Sequence, residues 1–167
     1  MEITLKNVKH SEFASQETHC FEATVYVDGK RSFIVSNDGH GGCDSYRPIN
    51  NKKTYSQVND EVANIDECLA LNREPHTFGG TCSITHSLEI EIGDLVNDWL
   101  FGKDFKKTMK KVAFIKDGAI HTLKGSIKPT LEILAKVKNT PWWKPEYILL
   151  NDLREKEAFA RFKLAMK

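Results

Sequence analysis

Two Asp-Gly dipeptides, Asp28-Gly29 and Asp117-Gly118, each stand between runs rich in β-branched and aromatic residues. Both central residues of a type I′ turn need positive φ, which Asp-Gly tolerates, so each pair marks a tight β-hairpin. The chain is thereby committed to at least two antiparallel pairings: Cys20–Val27 with Arg31–Val35, and Lys111–Lys116 with Ala119–Lys124. On the first arm Phe21, Ala23, Val25 and Val27 share one face, and Glu22, Thr24 and Tyr26 share the other. One face is expected to pack and the other to be wetter. Ile3 and Leu5, alternating with polar residues, add a further strand, and Tyr147–Leu150 another.

Elsewhere the apolar period lengthens to that of a helix. Thr54 is placed to cap a helix carrying Val58, Val62, Ile65 and Leu69, which ends near Asn72 before Pro75. A second helix is predicted over Leu88–Phe101, with Leu88, Ile92, Leu95, Val96 and Trp99 as its stripe. Gly102 is expected to break it before helix resumes through Lys111, with Lys103, Lys106, Lys107, Lys110 and Lys111 on a solvated face. Pro129 and Thr130 open a short helix with Leu131, Leu134 and Val137. Asp152, with Glu155 in capping-box position, is expected to start the last helix, whose apolar side is Ala158, Phe159 and Phe162. The stretch 78–82 reads as loop or short strand, and Pro141–Pro145 as a stiff aromatic connector around Trp142 and Trp143. The expectation is a single-domain α+β fold of antiparallel hairpins packed with three to four helices, with possible sub-parts 1–72 and 80–167.

With 167 residues the chain can bury a core that needs no covalent staple. Forty per cent hydrophobic and 28% charged residues exclude a wholly disordered chain. The formal charge of +1, from 24 basic and 23 acidic residues, exerts no global pull on nucleic acid or an anionic membrane, so neither is an expected partner. No apolar run approaches the roughly 18 residues of a membrane-spanning helix. Met1–Lys6 alternates like a strand and unlike a signal peptide, which points to the cytoplasm and to reduced thiols. Cys20, Cys43, Cys68 and Cys82 form no C-x-x-C pair and are expected mostly as small buried hydrophobes.

The segment Asn37-Asp38-Gly39-His40-Gly41-Gly42-Cys43-Asp44 is where function is expected. Three glycines in four positions are costly in conformational entropy, and they permit left-handed angles and close approach of a ligand or another chain. Successive N–H groups in such a loop can form an anion nest, with Tyr46 and Arg47 just beyond as further contact residues. Asp38 and Asp44 oppose a phosphate there. The loop lacks the Gly-Lys-Ser/Thr of a P-loop and the third glycine of a dinucleotide fingerprint. A plain connection, with His40 bonded to backbone, accounts for the same residues. His40 with Cys43, and Cys82 with His86, have spacings that would suit tetrahedral zinc, although the gap between the pairs is long and no cofactor is required.

Val35–Asp44, together with Ile148-Leu149-Leu150-Asn151-Asp152-Leu153, resembles segments of small uncharacterised bacteriophage and prophage proteins. The resemblance covers under a tenth of the chain and carries over no catalytic residue. It implies a non-enzymatic binding protein, a phage accessory or counter-defence factor. Such a protein would recognise a host protein or small anionic ligand through the glycine-rich loop 37–47. The alternative from the residues alone is a Cys/His hydrolase or transferase using His40 and Cys43, with or without zinc.

Overall fold

The computed structural model describes residues 1–78, 82–125 and 127–166, with the side chains of Phe78 and Cys82 also outside the described set. The described residues form an α+β fold with antiparallel sheets and four helices. The chain divides into two compact units, Met1–Asn97 and Asp98–Lys167. The division falls within a helix, and the seam expected at 72–80 lies inside the first unit.

The first unit is built on a four-stranded antiparallel sheet in the order β1 (Ile3–Ser11), β2 (Cys20–Val27), β3 (Lys30–Asp38), β4 (Ser45–Arg47). Asp28 and Gly29 take φ of 48° and 75°, as the hairpin turn requires. Phe21, Ala23 and Val25 are buried, as their shared face predicts, but so is Thr24 on the opposite face. A bulge between Val25 and Tyr26 shifts the register against β3, and a second bulge interrupts β1, where Asn7 takes a φ of 55°.

Helix α1 (Tyr55–Asn72) starts in a full capping box, since Thr54 accepts from the Gln57 N–H and Gln57 accepts from the Thr54 N–H. It buries Val58, Ile65 and Leu69 and packs against β4. Glu61 on α1 accepts from Ser32 Oγ at 2.7 Å and pairs with Lys53 Nζ at 2.6 Å, tying the helix to β3. A two-stranded ribbon, β5 (His76–Phe78) and β6 (Cys82–Ile84), follows, and residues 79–81 between them lie outside the described set.

Helix α2 runs unbroken from Leu88 to Thr108, so Gly102 does not interrupt it. A lone glycine weakens a helix by only about 1 kcal/mol, less than the intact ladder on either side provides. Leu88, Ile92 and Val96 are fully buried. Its first turn is held from α1, where Asp66 Oδ1 accepts from the Leu88 N–H at 2.6 Å.

The second unit has a three-stranded antiparallel sheet in the order β8 (Ala119–Thr122), β7 (Ala113–Lys116), β9 (Ile148–Leu149). Asp117 and Gly118, with φ of 52° and 78°, close the second hairpin. One sheet face contributes Ala113, Ile115 and Ile120 to a core with Phe105, Leu150, Ala158 and Phe162. The other contributes Phe114 and Leu149 to a core with Val112, Leu134 and Val137, the last two from α3 (Leu131–Lys138). Thr130 caps α3, but its Leu131 is exposed.

Helix α4 spans Glu155–Ala165 and starts without a side-chain cap. Asp152, expected to cap it, instead lies in a 3-10 turn, Leu150–Asp152, with its carboxylate on Lys138 Nζ at 2.6 Å. The neighbouring Asn151 bridges the backbone of Ala113 and Lys111 at 2.7 and 3.0 Å, and so holds the turn against β7. Among the described residues no helix is long and apolar enough to cross a membrane.

The near-neutral total conceals a separation of charge. Residues 1–97 hold fifteen Asp and Glu against eight Lys and Arg, a formal −7, whereas residues 98–167 hold sixteen Lys and Arg against eight Asp and Glu, a formal +8.

Asp66→Ala is expected to lower stability by about 1 kcal/mol in urea denaturation, because the first N–H of α2 loses its acceptor. Asp66→Asn keeps an accepting oxygen and is expected to cost less.

Candidate functional site

The loop from β3 to β4 is organised by one amide. Asn37 is buried, and its Oδ1 accepts from Thr18 Oγ1 at 2.8 Å and the Gly39 N–H at 2.9 Å. Its Nδ2 donates to the Gly42 carbonyl at 2.9 Å and Asp44 Oδ1 at 3.0 Å. Its donors and acceptor are therefore spent on shaping the loop.

Two glycines are required by geometry. Gly39 has φ +87°, and a Cβ on it would stand 2.2 Å from the Ala14 carbonyl oxygen; Gly41 has φ +84°, with its Cβ position 2.2 Å from a Glu17 carboxylate oxygen. The Gly39 carbonyl accepts from the N–H groups of Gln16 and Glu17 at 2.9 and 3.0 Å, which docks the loop on the β1–β2 connection. Gly42 has open space at its Cβ position, and the fold makes no such demand there.

The loop amides are largely committed to its own neighbourhood. Gly39 N–H donates to Asn37, His40 N–H to Asp38, Gly41 N–H to Thr18 and Asp44 N–H to Glu89. A nest needs these donors turned toward an anion, and here four of them bond to side-chain oxygens instead. Arg47 does not offset the loop's acidity either, because its Nη2 pairs with Glu22 at 2.6 Å. Lys9 and Arg47 together hold the Glu22 carboxyl below its usual range, Lys9 most strongly.

His40 is exposed and its Nδ1 faces Asp38 Oδ1 at 3.6 Å, while Cys43 is exposed in the loop. Cys20 and Cys68 are half-buried, so none of the three described thiols is the fully buried hydrophobe expected. His86 is engaged by Glu91, with Nε2 2.9 Å from Oε2, and Glu91 also pairs with Arg73. Among the described residues no group of three or more His, Cys, Asp and Glu is placed to hold a metal ion, and the Cys82 side chain lies outside that set.

What the loop does build is one wall of a cleft of about 230 Å³. Thr18 and His19 come from the β1–β2 connection, Phe21 from β2, and Asn37 and Asp44 from the loop. Helix α2 contributes Glu89, Gly93 and Val96, which fall on one helix face at i, i+4 and i+7. The Gly93 Cβ position is open, so the missing side chain leaves space there. His19 Nε2 lies 2.9 Å from Asn97 Oδ1, and its ring stands edge-on to His10 at 5.4 Å.

The electrostatics of the cleft are acidic. Burial raises the Asp44 carboxyl from the usual 3.8 to about 6, with the Glu89 charge adding to the rise and the Asn37 amide opposing it. Burial likewise pushes the Tyr46 hydroxyl upward, reinforced by Asp44, Glu89 and Asp66. Tyr46 packs edge-on against Phe33 with ring centres 5.7 Å apart, which pins the base of the loop to the sheet.

Of the residues singled out in the sequence, Asn37 and Asp44 line this cleft, and Gly39 and Gly41 shape its wall. Asp38, His40 and Cys43 are exposed, and Arg47 pairs elsewhere. Glu89 and Gly93 carry no motif that marks them as site residues in the sequence. A glycine inside a helical apolar pattern was the one signal that pointed to Gly93. No protein-family model, curated protein or solved structure matches the chain.

Asp44 generates a pH signature. Below the usual aspartate value of 3.8 its proton is bound in both folded and unfolded chains, and its favourable contribution to stability is complete; that contribution is lost as pH rises through about 6. Replacement by Asn removes the titration. The melting temperature of Asp44→Asn is therefore expected to exceed that of the parent at about pH 7, with the gap closing toward about pH 4. A gap independent of pH would show that Asp44 does not titrate in the cleft.

Proposed function

We propose that the protein is a non-enzymatic binding protein that receives a basic side chain of a partner protein in the cleft bordered by loop 37–47. The observation that carries this reading is the pair of carboxylates, Asp44 and Glu89, at a slot whose other walls include Phe21 and Val96. Lysine and arginine combine an aliphatic stem with a cationic head, so the stem suits the apolar wall and the head suits the carboxylates. The cleft, at about 230 Å³, is smaller than the roughly 300–1,000 Å³ of pockets for drug-sized ligands, which favours one side chain.

Charge supports the same choice. The first unit carries a formal −7 and attracts a basic partner before contact. The commitment of the loop amides to internal bonds, with Asp38 and Asp44 beside them, disfavours the small anion that the glycine pattern suggested. Asp38 and His40, exposed outside the cleft, act as a polar rim. The resemblance to small phage proteins implies a host protein as partner and an accessory or counter-defence role.

Calorimetric titration with short Lys- and Arg-containing peptides, against the same peptides with Gln at those positions, tests this reading. Binding is expected only for the basic set. Glu89→Gln and Gly93→Leu are expected to weaken it about tenfold or more, and Asp38→Ala or His40→Ala only a few-fold. Equal binding of the Gln peptides, or folded Glu89→Gln and Gly93→Leu variants that bind like the parent, would refute it.

A further inference from the structure

We propose that the second unit, Asp98–Lys167, binds single-stranded nucleic acid on the aromatic face of its three-stranded sheet. The inference is independent of the cleft in the first unit and rests on different residues.

The sheet's alternation places the relevant side chains together. Phe114 pairs with His121 across β7 and β8 and with Leu149 across β9, and Lys116 pairs with Ala119, so all of these share one face. Helix α3 packs on this face through Leu134 and Val137. Beyond α3 the face is carpeted by rings. His121 stacks on Phe114 with centroids 5.6 Å apart and planes at 21°, and Trp142 lies 5.6 Å from the same ring. Trp143 and Tyr147 complete the group, edge-on to each other at 5.7 Å. Trp142 is 44% exposed and His121 is exposed, so the outermost rings present surface to solvent.

Cations accompany the rings. Lys116 Nζ sits 5.6 Å from the centre of the Tyr147 ring, and Lys144, which follows the tryptophan pair in sequence, has its Nζ 3.8 Å from Glu146 Oε1 at an exposed position. The unit as a whole carries a formal +8 over seventy residues. Exposed rings alone would suit many occupants. Rings within a strongly positive unit suit a polyanion that also offers flat faces, and unpaired bases on a phosphate backbone are that chemistry. A duplex hides its base faces and would engage only the lysines.

The lysine stripe Lys103, Lys106, Lys107, Lys110 and Lys111 has no aromatic residue interleaved on its own face in the sequence. The platform instead comes from β7 and β8 and from the 141–145 connector, outside the helix. A helix-face pattern cannot reveal a stacking surface assembled by a sheet.

The test uses the full chain with fluorescein-labelled oligonucleotides of about 12 nucleotides at roughly 50 mM salt, with anisotropy and quenching of tryptophan fluorescence as readouts. The comparison ligands are a duplex of the same length and heparin, a polyanion without bases. The expected result is preference for the single strand over both, and loss of affinity as salt rises. Trp142→Ala and His121→Ala, both at exposed positions, are each expected to weaken single-strand binding about tenfold while leaving heparin binding unchanged. Lys116→Glu is expected to weaken both, and Glu89→Gln neither. No single-strand binding at low salt overturns the proposal. So does single-strand binding that matches heparin and survives Trp142→Ala and His121→Ala in folded protein, since that describes a basic surface with no stacking.

Discussion

The first unit depends on a contact that leaves no room for a side chain. A Cβ on Gly39 would lie 2.2 Å from the carbonyl oxygen of Ala14 and 2.9 Å from the Cβ of Cys20. Through its carbonyl, Gly39 also gathers the N–H groups of Gln16 and Glu17. Two connections at the same end of the sheet are thereby held to each other. Asn37 extends the junction by binding Thr18 on one side and Asp44 on the other, two of the cleft's lining residues. The glycines are thus explained by backbone meeting backbone. The loop's chemistry lies in what that meeting leaves at its edge, a carboxylate pushed into a partly dry corner beside a second carboxylate.

Local rules were legible in the sequence, and long-range ones were not. The Asp-Gly turns and the helix starts at Thr54 and Thr130 stand where the residues place them, because turns and caps are contacts within four positions. Where local signals failed, tertiary packing had won. Gly102 lies within an unbroken helix whose neighbour Phe105 is buried in the core of the second unit. Asp152 resembles a helix cap but binds Lys138, and Asn151 beside it is recruited by β7, so α4 begins later than its sequence suggests. The cleft was half legible. Asn37 and Asp44 belong to a conspicuous loop, whereas Glu89 stands in a helix whose first turn routinely favours acidic residues. Nothing in the spacing of Asp44 and Glu89 announces that they meet.

Charge illustrates a related limit. A total of +1 excludes nothing once the chain has two units of opposite sign. The screening length at physiological salt is about 8 Å, so a ligand responds to the charges around its own contact and not to a sum over the chain. The acidic first unit and basic second unit consequently present different electrostatic surfaces to solution. Interaction classes that a neutral total discourages are open to each unit separately.

In the proposed reading, a group that weakens the fold on its own would strengthen a complex. Burial of Asp44 disfavours its charged form, and Glu89 adds to that penalty. An asparagine at the same position would retain an oxygen to accept from Asn37 without bearing a charge, so the fold alone gains nothing from ionisation there. A cation between the two carboxylates reverses the balance. It supplies the opposite charge that the site lacks and draws the Asp44 proton off below about pH 6, toward the usual value of 3.8. By linkage, binding a basic side chain then releases a proton and tightens as pH rises across that interval. A neutral or anionic occupant produces neither effect, so the destabilising titration of the cleft and the proposed preference for a cation have the same source, the buried charge of Asp44.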